Sequence, residues 1–218
     1  MSPLIVLEIP GVYRLKPRFQ RLLRPLVRGL ASAGVRANQV TVFSCASSVA
    51  LGVLLLTSQN RHLFALLPAV LLVRMALNAA DGMLAREFGQ ETRLGVYLNE
   101  LADVASDAFL YLPFAHLRGF SPFWIWNVVV LAVITEMAGT VAVLAGASRR
   151  YDGPLGKSDR ALIFGAMGLW VGLAGGLPAT IASWFPKTMV VLLALTIVNR
   201  VRKGLQETSI REHDHAAI

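Results

Sequence analysis

Cysteine occurs once, at Cys45, which excludes an intramolecular disulfide framework and a cysteine-rich zinc site. The four histidines, His62, His116, His213 and His215, form no spaced ligand set apart from the tail pair. Charge is scarce as well. Only 16% of the 218 residues are charged, against about 25% in soluble domains, which argues against an ordinary cytoplasmic enzyme. Acids are the scarcer sign, 13 against 21 lysines and arginines, a formal charge of +8. In a soluble protein that balance would suggest nucleic acid. Here the expected partners are anionic membrane lipids and phosphate-bearing substrates, with no nucleic acid. Residues 1–10 (MSPLIVLEIP) lack a basic start and a small-residue cleavage pattern, so no cleaved signal is expected there.

What the chain has is apolar length. Hydrophobic types make up 55% of it and the mean hydropathy is +0.58. A bilayer-spanning helix needs roughly 20 mostly apolar residues, and six such stretches predict an all-α integral membrane protein. The expected spans run from about Asn38 to Thr57, His62 to Ala85, Leu94 to Leu117, Pro122 to Ala147, Ala161 to Leu177 and Pro186 to Val201, the last short unless Trp184 and Phe185 extend it. A tight hairpin at Ser58, Gln59, Asn60 and Arg61 joins the first two. Before them, residues 18–34 place Phe19, Leu22, Leu23, Leu26, Val27 and Leu30 at helical spacing opposite Arg21, Arg24 and Arg28. That pattern predicts an interfacial amphipathic helix, bent or interrupted at Pro25. The expected organisation is a cytoplasmic arm and interfacial helix over 1–37, a six-helix membrane domain over 38–203, and a frayed polar tail over 204–218.

Orientation follows from the positive charges. With the N-terminus in the cytoplasm, 17 of the 21 lysines and arginines fall inside, leaving Arg61, Arg118 and Lys187 outside and Arg74 within a span. Both termini are then cytoplasmic, and Trp124, Trp126 and Trp184 fall near the outer interface.

The segment NAADGMLAREFGQETRLGVYLNELADVASD (78–107) is too polar for the membrane path around it. Asn78 and Asp81 share a helical face, and Asn99, Asp103 and Asp107 form a stripe at intervals of four, with Glu100 displaced by about 100 degrees. Asp103 lies roughly 12 Å beyond Gly95 along a helix. Intramembrane carboxylates normally face a bundle interior and mark an ion, substrate or proton path. Converging oxygens suggest a hard divalent cation, and Arg86 and Arg93 could hold phosphate oxygens while Gly82 allows close backbone approach. A buried structural polar network is the alternative.

This segment resembles the signature of the CDP-alcohol phosphotransferase family, D-x-x-D-G-x-x-A-R-x8-G-x3-D-x3-D, at Asn78, Asp81, Gly82, Ala85, Arg86, Gly95, Asn99 and Asp103; the Asn38-Gln39-Val40-Thr41 start of the first span looks similar to the family's too. The departures are Asn78 and Asn99, where the family has aspartate. Either metal affinity is weaker, or Asp107 and Glu100 assume part of the task. The resemblance implies a transferase using one or two Mg²⁺ or Mn²⁺ ions, a homodimer, and an active cavity facing the cytoplasm of a bacterial-type inner membrane. It implies metal ligation by Asp81 and Asp103 with Asn78 and Asn99 as neutral partners, and Asp107 and Glu100 as further candidates. Asp103 would accept the proton of an incoming hydroxyl, with Asp107 an additional base candidate and Arg86 a stabiliser of developing charge. Asn38, Thr41, Gly82, Ala85, Arg86, Arg93, Lys157 and Arg160 would contact substrate. The expected reaction moves a phosphatidyl group from a CDP-lipid such as CDP-diacylglycerol to a hydroxyl acceptor with release of CMP. CDP-alcohol transfer to diacylglycerol, a catalytically silent lipid or nucleotide binder, and a small proton-coupled transporter remain open.

Three further features stand outside that signature. Gly156-Lys157-Ser158-Asp159-Arg160 is either a phosphate-binding lip or juxtamembrane positive charge. Arg74 and Glu136 lie at similar depth in their spans and are expected to pair, or else to contact substrate. Gly165-x-x-Gly168 and Gly172-x-x-Gly175-Gly176 permit close helix approach or a lipid cavity.

Overall fold

Proline lacks an N–H and clashes with the preceding turn, so it is best placed at a helix start. In the computed structural model, which describes residues 16–58 and 60–216, the chain forms seven α-helices, two of which run through a proline, Pro25 and Pro186. They are α1 (Lys16–Ser32), α2 (Ala37–Thr57), α3 (Leu67–Glu87), α4 (Arg93–Tyr111), α5 (Pro122–Leu144), α6 (Lys157–Ala174) and α7 (Ala179–Ala216). Pro68 opens α3 after a 3-10 turn at Arg61–Leu66, and Pro113 converts the end of the expected third span into a 3-10 segment, Leu112–His116. The N-terminal arm before residue 16, Gln59 of the hairpin and the side chains of His213 and His215 lie outside the described residues.

Four of the helical segments are long and apolar enough to cross a membrane: Ala37–Thr57, Arg61–Glu87, Pro122–Leu144 and Ala179–Arg211. The other two segments expected to span, α4 and α6, carry more charge. Arg93, Glu100, Asp103 and Asp107 lie on the first, and Lys157, Asp159 and Arg160 on the second.

Two expectations at the chain's ends are corrected. Pro25 does not interrupt α1, which runs through it. The six apolar residues of α1 also divide: Leu23 and Val27 pack on Ala80, Met83 and Leu84, whereas Leu22 and Leu26 stay exposed. The polar tail is not frayed after Lys203, because α7 continues to Ala216. It is held by Glu207, which accepts from the Ser148 backbone at 3.0 Å and the Ser148 hydroxyl at 2.7 Å and pairs with Arg150 at 2.7 Å.

The core is aromatic at the end where α3 and α7 begin. Phe64, Tyr111, Phe114, Phe120, Phe164 and Phe185 pack there, with Tyr111 stacked on Phe164 at 3.9 Å between centroids. Along α7, which packs on α5, Ala182, Met189, Leu193, Thr196 and Arg200 are buried at steps of seven, four, three and four, one helical face. The glycines of α6 serve close approach to α3 and the turn before it. A β-carbon at Gly172 would stand 2.5 Å from the Ala65 nitrogen, and one at Gly168 would stand 2.8 Å from the Phe64 carbonyl oxygen. Backbone cannot yield as a side-chain tip can, so Gly172→Ala is expected to destabilise the protein by about 1–3 kcal/mol, read as a lowered unfolding temperature in detergent.

Candidate functional site: a polar cavity between α3, α4 and α6

The N-terminal half of α4 and the C-terminal half of α3 converge on one cavity of about 1280 Å³, closed on its other sides by α2, the start of α6, the 145–156 connection and α7. Asn38, Thr41, Asn78, Asp81, Gly82, Ala85, Arg86, Arg93, Asn99, Glu100, Asp103 and Lys157 all line it. Asp107 and Arg160 do not.

Each acid has a defined setting. Asp81 accepts a 2.8 Å hydrogen bond at Oδ2 from the Thr41 hydroxyl, which also donates to the Ala37 carbonyl at 3.2 Å, so α2 orients the α3 carboxylate. Asp103 Oδ1 accepts from Asn78 Nδ2 at 2.8 Å, pairs with Arg74 at 3.5 Å and faces the Lys157 ammonium. No hydrogen bond from a described residue reaches its Oδ2. The Asn78 carbonyl oxygen accepts from the Ser44 hydroxyl at 3.3 Å. Among the described residues no three Asp, Glu, His or Cys side chains converge as a metal cluster; the oxygen set of α3 and α4 is two acids and two amides.

Glycine shapes two walls. A β-carbon at Gly82 would lie 2.8 Å from the Arg86 guanidinium, which folds across it, and one at Gly95 would lie 2.7 Å from Asn38 Oδ1. Asn38 in turn donates to Thr92 Oγ1 at 3.1 Å, and Thr92 caps α4 through the Gly95 N–H at 2.9 Å. Arg86 and Arg93 are exposed on the cavity rim.

Several expected roles change on this geometry. Asp107 offers no free oxygen: Oδ1 accepts from Arg74 at 2.5 Å, and Oδ2 accepts from Arg160 Nη2 at 2.8 Å and Nε at 3.2 Å. Arg160 is not on a phosphate lip. Since α6 starts at Lys157, Arg160 stands one turn inside it, 0% exposed, and reaches Glu136 at 2.9 Å and Thr135 at 3.2 Å. Glu100 does not turn toward the stripe; Arg149 holds both of its oxygens, Nη2 to Oε2 at 2.9 Å. Nor do Arg74 and Glu136 pair. Arg74 takes Asp107, and Glu136 takes Arg160 and, at 3.6 Å, Arg200, so the two expected partners are linked through Asp107 and Arg160 between them. Sequence reasoning missed Arg149 and Arg200. Glu136, a buried acid requiring a cation, was the available signal for the second.

The connection between α5 and α6 is fixed to α7. Asp152 pairs with Arg150 at 2.7 Å and Lys203 at 3.0 Å. Gly153, at φ +125°, lies where a β-carbon would stand 2.6 Å from Thr196 Cγ2, so the chain passes against α7 only as glycine. Burial pushes the Asp152 carboxyl up, but the Lys203 hydrogen bond and Arg150 outweigh it and hold the group below the usual carboxylate range. Its tie is therefore fully present above the ordinary carboxylate pKa and is lost only as pH falls through the lowered folded value. The connection carries Lys157 to Asp103.

Comparison with known proteins places these features in context. The family model for CDP-alcohol phosphatidyltransferase matches residues 35–201. The inner membrane protein YnbA of Escherichia coli K12 is 44% identical over 200 residues, covering 89% of this chain and 96% of that protein. Two solved structures of Mycobacterium tuberculosis phosphatidylinositol phosphate synthase share the fold. One, in complex with manganese and citrate, has a TM-score of 0.67 at 23% identity over 83% of this chain and 88% of that one. The other, with CDP-DAG bound, has a TM-score of 0.69 at 22% identity over 84% and 94%.

Proposed function

This chain belongs to the CDP-alcohol phosphatidyltransferase family, and from that premise we propose that it transfers a phosphatidyl group from a CDP-lipid such as CDP-diacylglycerol to a hydroxyl-bearing acceptor, releasing CMP. The observation that carries the proposal is the convergence of Asp81 and Asp103, from different helices, on one cavity that also holds Asn78, Asn99, Arg86 and Lys157. A buried structural network would have every oxygen engaged; Asp103 lines the cavity, and its Oδ2 has no described hydrogen-bond donor.

In this reading the acceptor hydroxyl attacks the lipid-linked phosphorus. The new oxygen–phosphorus bond forms as the bond to the CMP oxygen breaks, CMP departs with the electron pair, and the hydroxyl proton passes to Asp103. Arg86, Arg93 and Lys157 offset charge on the phosphate oxygens. Two carboxylates and an amide carbonyl suit a hard divalent cation, so Asp81, Asp103 and Asn99 are the residues that would hold Mg²⁺ or Mn²⁺, with Asn78, whose carbonyl takes the Ser44 hydroxyl, orienting Asp103 through its amide N–H. Such an ion would polarise phosphate oxygens toward attack. Thr41 lines the cavity and orients Asp81.

The proposal extends to the membrane. α4 and α6 join the four apolar segments as spans five and six, their charges turned to the bundle interior. α1 lies at the cytoplasmic interface of a bacterial inner membrane with Leu22 and Leu26 toward the acyl chains, both termini and the cavity facing the cytoplasm. Purified protein given CDP-diacylglycerol, a divalent metal and a panel of alcohols is expected to release CMP with at least one acceptor. Silence across the panel would favour a binding protein, and label appearing in lipid only from a CDP-alcohol would reverse the direction of transfer.

A further inference from the structure

The geometry points to a site for one divalent cation per chain, with Lys157 supplying from within the protein part of the positive charge that a second ion would bring. The inference rests on the transferase reading above and deepens it.

Its first support is the fate of the acids that could have replaced the charge absent at positions 78 and 99. Glu100 is adjacent to the stripe, but Arg149 engages both of its oxygens. Asp107 continues the stripe, but Arg74 and Arg160 engage both of its oxygens. Glu91 lines the cavity from the exposed turn before α4, off the helix faces that carry the oxygen set, and Asp159, also in the lining, accepts from the Gly156 N–H at 3.0 Å as the cap of α6. The set of Asn78, Asp81, Asn99 and Asp103 therefore carries two negative charges with no compensating acid.

The second support is the occupancy of Asp103. Asn78 donates to its Oδ1, and the Ser44 hydroxyl on the amide oxygen holds Asn78 in that orientation. A carboxylate at position 78 would repel Asp103 and call for a cation between them; the amide satisfies Asp103 directly. Lys157 and Arg74 already stand at the same oxygen. The charge of Arg74 is met by Asp107 at 2.5 Å, so Asp81, Asp103 and Lys157 leave one net negative charge. One divalent ion brings the set to +1 and two would bring it to +3, an excess that a partly desolvated cavity does not screen.

Mn²⁺ titration of the detergent-solubilised full chain without substrate, followed by calorimetry and electron paramagnetic resonance, tests this. The expected result is one ion per chain with the spectrum of an isolated Mn²⁺. The Asn78→Asp/Asn99→Asp double variant is expected to take up a second ion and show spin coupling. Lys157→Met, by removing a competing cation, is expected to tighten the single site about tenfold. Two ions or none in the unsubstituted protein would overturn the inference, as would a double variant that still holds one. CMP release is scored separately. One bound ion with no CMP from any acceptor leaves this inference standing and removes the transferase reading, whereas CMP release with two ions or none does the reverse.

Discussion

Asp103→Asn is expected to lower CMP release by about a thousandfold, within the range for losing a positioned proton acceptor. The amide is nearly the same shape, so the cavity is preserved, but it cannot take a proton at the position of the unengaged Oδ2. The fold should survive because Arg74 retains Asp107, its closer partner, at 2.5 Å. The measurement is the initial rate at saturating CDP-lipid and acceptor, with the unfolding temperature recorded alongside. A rise in KM at unchanged kcat would move Asp103 from proton transfer to substrate binding.

For stability, the largest loss is expected at Asp107. The carboxylate is buried and joins two buried guanidiniums, those of Arg74 and Arg160. Asp107→Asn removes the charge that both share and leaves Arg160 with Glu136 at 2.9 Å and Arg74 with Asp103 at 3.5 Å, so the cost is expected at the low end for a broken buried pair, about 3 kcal/mol. The readout is unfolding in detergent, where the variant should denature at a clearly lower temperature. Adding Arg160→Met should recover part of the loss by removing one buried cation. Glu100→Gln is the contrast. Its partner Arg149 is partly exposed, so the cost should be below about 1 kcal/mol. An Asp107→Asn protein that unfolds normally but releases no CMP would place Asp107 at the reacting atoms.

The limits of reading this chain from sequence are particular. Asn78, Asp81 and Asp103 could be placed on one cavity because helical spacing fixes which residues share a face, and polarity in an apolar stretch fixes that the face turns inward. The starts of α2 and α5 were legible as the edges of long apolar runs. Partner choice was not. The depths of Arg74 and Glu136 follow from counting residues, but their azimuths depend on how α3, α4, α5 and α6 rotate about one another. Arg160 pairs with acids 53 and 24 positions away, and nothing local encodes that. Its five-residue segment, Gly156 to Arg160, read as a phosphate-binding lip because two cations at a helix start suit phosphate until their internal partners are known. The length of α7 was hidden for a related reason. Its last third lacks an apolar signal and is held by Glu207 against Ser148 and Arg150.

Arg74, Asp107, Arg160, Glu136 and Arg200 alternate in sign from α3 through α4, α6 and α5 to α7. Together they act as a cross-tie through five helices beneath the reaction chamber. None of these five helices can roll about its own axis without pulling a charge from its neighbour, and separating such buried charges is costly. Machinery that ferries cargo across a bilayer must swing its halves apart in turn, and this brace opposes such a motion.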